Sequence, residues 1–226
     1  MKKTVLVTGA NGNLGQAVTR KFLSEGYQVK GFIAPGANPD FLRDENLEVH
    51  EVDLMDEEKT FKTIENAGDF DGAVLTVGGF GMGSFENTSI KDVDKMYKLN
   101  FQTAYNSSRA AFKTLKAKGK KGQIVLIGAR PALDVKAASG VVAYAFSKRL
   151  VQYLSDIINE ESDKTGITSS VIMPSLIDTP PNRKAMPDAD FEKWVKPETI
   201  ANNIHHLFTE SGKALRETVL KVYNKS

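Results

Sequence analysis

Cysteine is absent from this chain of 226 residues, which also contains only one tryptophan and three histidines. Without cysteine the chain has no disulfide bonds and no thiolate chemistry. This composition favours a reducing compartment, so we expect a cytoplasmic protein. The histidines His50, His205 and His206 show neither metal-ligand nor catalytic-triad spacing. We therefore predict no metal site and expect all three to lie at the surface.

The chain also lacks a strong net charge and any long apolar run. Its 30 basic and 28 acidic residues leave a net charge of +2, and the basic residues are scattered, which does not favour a nucleic-acid partner. No apolar stretch approaches the roughly 20 residues of a membrane-spanning helix, and the run after Lys3 breaks at Thr8, too early for a secretory signal. We expect residues 1–226 to form one soluble domain that binds neither nucleic acid nor membrane.

Short apolar runs alternate with amphipathic stretches. The apolar runs predict strands at 4–7, 28–33, 47–52, 72–77, 123–127, 168–173 and 218–222. The amphipathic stretches predict helices at 14–25, 57–66, 142–161 and 197–208, and one or two more within 90–115. This alternation is typical of an α/β fold of Rossmann type, a doubly wound, mostly parallel sheet with helices on both faces. Residues from about 174 to 196 are rich in proline and charge and too long for an ordinary connection, so we predict a substrate flap there.

A glycine-rich turn follows the first predicted strand. The spacing of Gly9, Gly12 and Gly15 lets the backbone approach a pyrophosphate, and the next helix offers its N-terminal amides and dipole to an anion. The predicted dinucleotide cradle also includes Asn11, Asn13 and Leu14. The alternative is a strand-to-helix turn that binds nothing, and the flanking strand and helix make it the weaker interpretation.

Other positions concern the adenosine half of the cofactor. Asp53 and Leu54 follow the third strand, where the carboxylate is placed either to bond an adenine amine or to cap the next helix. The second strand ends at Ile33 and leads into a small, neutral loop. It has neither the carboxylate typical of NAD binding nor the arginine typical of NADP binding. The sequence therefore predicts NADP or NAD, with a slight preference for NADPH because nothing repels the 2′-phosphate.

Tyr144 and Lys148 are four residues apart on a predicted helix, which places them on one face. A nearby ammonium lowers the pKa of a phenol below its ordinary value of about 10, so Tyr144 is a candidate proton donor. Lys148 is expected both to lower this pKa and to bond the nicotinamide ribose. Asn100 either interrupts its helix to hold a water beside Lys148 or simply caps that helix. A chance Tyr/Lys pair is the alternative, but beside the glycine turn this pair indicates hydride chemistry with a nicotinamide cofactor.

The chain resembles the short-chain dehydrogenase/reductase family over nearly its whole length. The resemblance rests on residues 8–15, Asn100, the Tyr144/Lys148 pair and residues 174–179. Within this family the chain is most similar to the dihydropteridine reductases, in its glycine spacing and in residues 78–83, 127–134 and 178–191. The resemblance implies an NAD(P)H-dependent oxidoreductase in which Asn100, Tyr144 and Lys148 are catalytic. It implies further cofactor contacts from Gly78, Gly79, Pro174, Ile177 and Thr179, and substrate contacts from Phe80, Arg130, Met186 and Trp194.

The chain lacks one serine that is typical of the main family, and this difference narrows the class of possible substrates. The family carries a serine after the fifth strand that polarises a carbonyl, whereas this chain has Gly128-Ala129-Arg130, and Ser139 is too close to Tyr144 to replace it. The conjugated ring of a quinonoid dihydropterin has less need of that hydroxyl, so we expect a small, planar, oxidised substrate. The alternatives are an NADPH-dependent reductase of ketones or other carbonyls and a non-catalytic NAD(P)-binding redox sensor.

The helices predicted at 101–115 and 142–158 carry more apolar surface than one sheet face needs. In the family that the chain resembles, the corresponding helices form a two-fold interface, the commonest symmetry of oligomers. The resemblance therefore implies a homodimer or higher homo-oligomer, with Leu154 at the interface. The alternative is that both helices pack only against their own sheet.

Overall fold

A computed structural model describes residues 2–226. These residues form a sheet of seven strands: β1 Thr4–Thr8, β2 Gln28–Ile33, β3 Leu47–Glu51, β4 Gly72–Leu75, β5 Gly122–Ile127, β6 Ile167–Pro174 and β7 Thr218–Val222. The strands lie in the order β3-β2-β1-β4-β5-β6-β7, and all neighbouring pairs are parallel. The predicted doubly wound parallel sheet is confirmed.

Between the strands, the described chain forms nine α-helices: α1 Asn13–Ser24, α2 Glu57–Asn66, α3 Ile90–Met96, α4 Thr103–Ala117, α5 Val135–Ala138, α6 Val142–Glu160, α7 Ser162–Thr165, α8 Pro180–Ala185 and α9 Pro197–His206. A π-helical turn, Tyr97–Gln102, joins α3 to α4, so the helical region predicted within 90–115 has a break in its backbone pattern. The predicted flap is also more regular than its composition suggested, because it contains α8.

Helices cover both faces of the sheet. On one face α1 packs against α9, and the core there includes Phe22 and Ile200. On the other face α2, α4 and α6 pack over a core that includes Leu115 and Val151. Leu154 belongs to this second core and is only 7% exposed. The expectation that Leu154 lies at a dimer interface is therefore wrong, since its side chain is buried in the core of the single chain.

Two of the three histidines are largely buried, contrary to expectation. His50 stacks on Phe32 with ring centroids 5.0 Å apart, and His205 meets Phe22 edge to face at 5.5 Å. Burial lowers the pKa of both imidazoles, and only His206 is exposed. Within residues 2–226, no group of three or more His, Asp or Glu side chains is arranged to hold a metal ion. No helix in that range is both long and apolar enough to cross a membrane.

The order of the strands places a crevice at the carboxyl edge of the sheet. β1 pairs with β2 on one side and with β4 on the other. The first half of the sheet therefore extends from β1 toward β3, and the second half extends in the opposite direction, toward β7. Ligands of open parallel sheets bind at such a switch point, outside the carboxyl ends of the strands. The glycine turn follows β1 and residues 78–83 follow β4, so both border this crevice.

Candidate active site

The glycine turn after β1 is closed so tightly that two of its positions require glycine. Gly9 has φ of +64°, and a Cβ there would lie 3.0 Å from Thr76 Oγ1. A Cβ on Gly15 would lie 2.0 Å from the Gly9 carbonyl oxygen, which no side chain permits. The Gly12 N–H donates to that same oxygen at 2.9 Å. The result is a turn of bare backbone, the form that close approach to a pyrophosphate needs.

The helix that follows this turn begins without a side-chain cap. Its N-cap residue is Gly12, so the first amides of α1, from Asn13 onward, receive no side-chain acceptor. The turn is held from behind, because Gln16 Nε2 donates to the Asn11 carbonyl at 2.8 Å, and Leu14 packs partly against the core. An uncapped N-terminus combines orphan amides with the positive end of the helix dipole, and it is therefore a ready anion site.

A cleft of about 440 Å³ opens between this helix terminus and the predicted flap. Its lining includes Asn13 of α1, Arg183 and Asp178 of the flap, and Lys196. Arg183 bonds Asp178 at 2.5 and 2.8 Å, which holds the pKa of that carboxyl below its ordinary value. Lys196 forms no ion pair within 4 Å in the described chain, although its charge also lowers the pKa of Asp178, and Glu198 lines the same cleft. Sequence reasoning missed Lys196, because a single lysine carries no motif.

The structure rules out one of the two interpretations of Asp53. The N-cap of α2 is Asp56, which accepts from the Lys59 N–H at 3.0 Å, so the capping alternative for Asp53 is wrong. Asp53 is exposed and accepts one bond from a backbone N–H two residues further on. Leu54 is 7% exposed, and its carbonyl accepts from Asn106 Nδ2 at 2.9 Å. Of the two, Asp53 is therefore the one with a side chain free to reach a ligand.

The loop after β2 is not neutral in the folded chain. Ile33 is buried and pairs with Glu51, the last residue of β3. The Glu51 carboxylate accepts a hydrogen bond from the Gly36 N–H at 3.0 Å. The expectation of a loop without a carboxylate is therefore wrong, because strand pairing brings in a residue that lies 15 positions beyond Gly36.

Asn100 lies within the π-helical turn and is 1% exposed. Its Oδ1 accepts from the Gly79 N–H at 3.0 Å, and its Nδ2 donates to the Gly79 carbonyl at 3.1 Å and to Ser147 Oγ at 3.1 Å. Asn100 therefore interrupts the helix and does not cap it, and π turns of this kind are frequent at functional sites. The side-chain amide of Asn100 is already hydrogen-bonded to Gly79 and Ser147. A water molecule beside Lys148 therefore needs hydrogen-bond partners other than Asn100.

Gly78 is the point where the catalytic candidates meet. A Cβ at this position would lie 2.6 Å from Asn100 Oδ1 and 3.1 Å from Lys148 Nζ. Only glycine therefore lets the loop after β4, the π-helical turn and α6 come together. Residues far apart in the sequence thus share one wall of the crevice.

Burial controls the ionisation of the Tyr144/Lys148 pair. Lys148 is 5% exposed, and its Nζ donates to the Ile127 carbonyl at 2.8 Å, 5.9 Å from the centre of the Tyr144 ring. Burial lowers the pKa of Lys148 to about 8 and raises the pKa of Tyr144 to about 12. The expected lowering of the Tyr144 pKa by the ammonium is not seen, because burial, which disfavours the charged phenolate, raises this pKa. Tyr144 is therefore protonated at neutral pH, as a proton donor must be.

An aromatic ring stands beside Tyr144 at the mouth of the crevice. Phe80 is 63% exposed and meets the Tyr144 ring edge to face at 5.1 Å. Its loop is fixed to the start of α6, because the Gly83 N–H donates to the Gly140 carbonyl at 2.9 Å. The exposed Met82 lies on the same loop. This arrangement presents an apolar, partly aromatic surface next to the candidate acid.

Arg130, predicted to contact the substrate, is already engaged. Its guanidinium bonds Asp134 at 3.1 and 3.2 Å and lies 5.4 Å from the centre of the Tyr223 ring. These contacts fasten the segment after β5 to the C-terminal segment of the chain.

The flap is anchored at its base and packed inward at its end. Ile177 pairs with Val195 in an isolated bridge. Thr179 caps α8, and Pro174 ends β6 at the same edge of the sheet. Trp194 is 4% exposed and packs on Phe191 with ring centroids 4.8 Å apart, whereas Met186 stays partly exposed after α8. The predicted substrate contact of Trp194 is therefore wrong, because its ring is an anchor of the flap.

Comparisons with known proteins agree with this geometry. The family described as short chain dehydrogenase matches residues 3–190. Dihydropteridine reductase of Dictyostelium discoideum is 30% identical over 220 residues, with 93% of this chain and 90% of that protein covered. The cyclic-di-GMP-binding biofilm dispersal mediator protein of Escherichia coli K12 is 26% identical over 211 residues, with 89% of this chain and 87% of that protein covered.

Among solved structures, ElxO with NADP bound has the same fold. It superposes with a TM-score of 0.89 at 23% identity and covers 98% of this chain and 97% of its own. The match of the family across most of the chain, supported by the Dictyostelium relative, settles the assignment. This chain belongs to the short-chain dehydrogenase family of NAD(P)-dependent oxidoreductases.

Proposed function

We propose that the protein is an NADPH-dependent reductase of a small, planar, oxidised ring, with a quinonoid dihydropterin as the first candidate substrate. The observation that carries this proposal is the exposed Phe80 ring beside Tyr144, on a wall that also holds Lys148 and Asn100. A flat ring has an aromatic surface to lie on there, next to a phenol that is protonated at neutral pH. The 30% identity to a dihydropteridine reductase supports the same substrate class.

The residues at the crevice fit a nicotinamide dinucleotide, which supplies the hydride when bound. The bare glycine turn and the uncapped amides of α1 suit its pyrophosphate. We assign Asp53 to the adenine amine and Lys148 to the nicotinamide ribose. The remaining wall of the cofactor site is assigned to Gly78, Gly79, Pro174, Ile177 and Thr179.

Tyr144 is assigned the role of acid. Its hydroxyl proton passes to the substrate ring as the hydride arrives, so the ring gains one hydride and one proton and Tyr144 is left as a phenolate. Burial opposes that phenolate, and the Lys148 ammonium on the same helix face stabilises it. Asn100 has a positioning role, because its hydrogen bonds hold Gly79 and the loop that carries Phe80.

The segment that follows β5 offers no hydroxyl group to polarise a substrate carbonyl. A Cβ at Gly128 would lie 2.3 Å from Met173 Sδ, and Ala129 is 3% exposed. Ser139 is exposed, and its hydroxyl donates to the Lys136 carbonyl at 2.9 Å. This favours a conjugated ring over a simple ketone, for which such a donor supplies much of the catalysis.

The preference for NADPH is the finer part of the proposal. No carboxylate ends β2, and ElxO was crystallised with NADP. Glu51 acts in the opposite direction, because its carboxylate beside Gly36 disfavours a second anion. We therefore expect the preference for NADPH to be modest.

A second candidate is a sensor that binds NAD(P) without turnover. One relative, the Escherichia coli protein, is named for the binding of a signalling nucleotide and not for a reaction. Against this candidate, a sensor has no need of the Tyr144/Lys148 pair.

One screen separates these functions. The oxidation of NADPH and NADH at 340 nm is followed with quinonoid dihydropterin, with common ketones and without an acceptor. We expect turnover with the dihydropterin, faster with NADPH than with NADH. Turnover of ketones alone would establish the carbonyl reductase, and tight cofactor binding without any turnover would favour the sensor.

We also propose that the protein is a homodimer through α4 and α6. A stripe of exposed apolar side chains runs along α6, at Phe146, Leu150, Tyr153 and Ile157. Beside it Phe101 and Tyr105 form a tilted aromatic pair with centroids 6.0 Å apart. An apolar surface of this continuity is typical of an interface between subunits.

Light scattering tests the dimer. Tyr153→Glu, with its charge at the centre of the stripe, is expected to give the 24.8 kDa monomer, whereas Val135→Glu, at a still more exposed apolar site on α5, leaves the dimer intact. A wild-type protein that is monomeric at micromolar concentration would refute the dimer.

A further inference from the structure

The amino end of the sheet holds a second cavity, of about 290 Å³. Tyr27 and Phe208 line it on the apolar side, and Lys3, Lys121 and Arg216 on the charged side. Tyr27 follows the C-terminus of α1, whereas the glycine turn precedes the N-terminus of the same helix. A helix of 12 residues is about 18 Å long, so this cavity and the cofactor crevice are separate.

The charge around this cavity is positive and largely unpaired. Of the four cations in its lining, Lys213 pairs with Glu210 at 2.9 Å. Lys3, Lys121 and Arg216 form no ion pair with any carboxylate of residues 2–226. Backbone carbonyls hold Arg216 in place, because its Nη1 donates to two of them at 2.6 and 2.9 Å. The guanidinium is therefore oriented while its other N–H groups remain available.

One carboxylate also lines the cavity. Asp71 accepts from the Thr4 N–H at 2.8 Å, and its other oxygen lies 3.7 Å from Lys120 Nζ. It is thus already bonded to the backbone and close to a cation outside the lining. The three unpaired cations outweigh it.

Tyr27 gives the cavity a hydrogen-bond donor. The residue is 7% exposed and lines the cavity, and its hydroxyl forms no hydrogen bond within residues 2–226 but is accessible to solvent. Burial and the nearby Asp71 raise the pKa of Tyr27, so the hydroxyl stays a donor. The hydroxyl is therefore free to donate a hydrogen bond to a ligand in the cavity.

We propose that this cavity binds a small organic phosphate. Its phosphate group contacts Lys121, Arg216 and Lys3 and accepts a hydrogen bond from Tyr27, and its flat apolar part lies against Tyr27 and Phe208. A volume of about 290 Å³ is at the small end of known ligand pockets, which suits a compact molecule. Three unpaired cations match a doubly charged phosphate better than a single carboxylate.

Isothermal titration of the NADPH-saturated protein with phenyl phosphate tests this site, because the cofactor crevice is then filled. We expect saturable binding of one molecule per chain, weaker binding of inorganic phosphate and none of phenol. The double substitution Lys121→Gln/Arg216→Gln is expected to weaken phenyl phosphate at least about tenfold, and Tyr27→Phe several-fold. A matched control, Lys91→Gln/Lys95→Gln on α3, removes the same charge from an exposed surface elsewhere and leaves the affinity unchanged.

Three outcomes would overturn the proposal. They are the absence of saturable binding at millimolar phenyl phosphate, equal affinity in the wild type and the Lys121→Gln/Arg216→Gln protein, and phenol binding as tightly as phenyl phosphate. Urea unfolding of each variant shows whether it is folded. Because Tyr27→Phe removes only one oxygen, it reports on the cavity even if the double substitution destabilises the chain. The proposed reductase activity does not enter this test, so the two proposals fail independently.

Discussion

The two ends of the parallel sheet are built in different ways. At the carboxyl end, Asn100 and Lys148 are almost fully buried and bonded to the backbone, and Gly15 leaves no room for a Cβ. At the amino end, Lys121 and Arg216 are exposed and meet no carboxylate partner within the described chain. Chemistry on a substrate needs fixed atoms, and fixed atoms need burial and bonding. Attraction of an anion needs only accumulated charge, which exposed side chains provide.

Helix direction explains part of this difference. In a parallel sheet the connecting helices begin at the carboxyl end, so the positive ends of their dipoles face the cofactor crevice. Their negative ends face the amino end, where cations are favourable in any protein of this architecture. The dipoles therefore account for some of the lysines there. They do not account for the aromatic wall that Tyr27 and Phe208 give this cavity.

The largest expected effect comes from the acid at the carboxyl end. Tyr144→Phe should lower turnover by roughly 100-fold or more, the usual scale of general acid catalysis, and leave cofactor affinity nearly unchanged. Stopped-flow kinetics with titration of cofactor fluorescence measures both. Tyr105→Phe is the matched control, since it removes a phenol from an exposed helix position. Wild-type turnover in Tyr144→Phe would exclude it as the proton donor.

Gly15 and Gly119 require glycine for different reasons: Gly15 leaves no space for a Cβ, whereas Gly119 has a positive φ. Gly15→Ala places a Cβ 2.0 Å from the Gly9 carbonyl oxygen, so the turn must open, and we expect cofactor affinity to fall at least about tenfold. Gly119, at the amino end, has φ of +61° with open space around it. Gly119→Ala should cost about 1 kcal/mol of stability through backbone strain and leave cofactor affinity intact. Equal cofactor affinity in the two variants would show that the cradle is not rigid.

Lys148 gives the carboxyl end a pH-dependent stability. Its folded-state pKa, about 8, is below its ordinary value of 10.5. Between these pH values the unfolded chain binds more protons than the folded chain, so the side chain's contribution to stability rises with pH. The free energy of unfolding of the wild type minus that of Lys148→Met should therefore increase from pH 7 to about pH 10. Urea unfolding measures it, and Lys91→Met, at an exposed site, should show no such trend.

The smallest effect concerns cofactor choice. Glu51→Gln removes the carboxylate beside Gly36 and should raise affinity for NADPH relative to NADH by a few-fold, because one repulsive charge near the 2′-phosphate is lost. Dissociation constants for both cofactors measure the ratio. If Glu51→Gln does not alter the ratio, the adenosine ribose is recognised elsewhere.

Local patterns in the sequence predicted the fold and the glycine turn. Alternating apolar runs gave the strands, because strands buried on both faces must be apolar throughout. The Gly9, Gly12 and Gly15 spacing gave the turn, because steric exclusion at Gly15 acts within a few residues. The spacing of Tyr144 and Lys148 placed both on α6, because an α-helix brings residues four apart to one face.

Tertiary packing decided the rest, because burial and partners depend on residues distant in the sequence. Glu51 reaches the loop after β2 only through strand pairing, which a reading of β2 alone does not reveal. The sequence shows that Trp194 and Leu154 are apolar, but it does not show whether they contact a substrate, a partner or the core. The tertiary structure buries both of them in the core. The pKa of Tyr144 rises because of desolvation, a property of the folded surroundings. The sequence by itself determined which groups the crevice contains, and the tertiary structure determined their charge, exposure and neighbours.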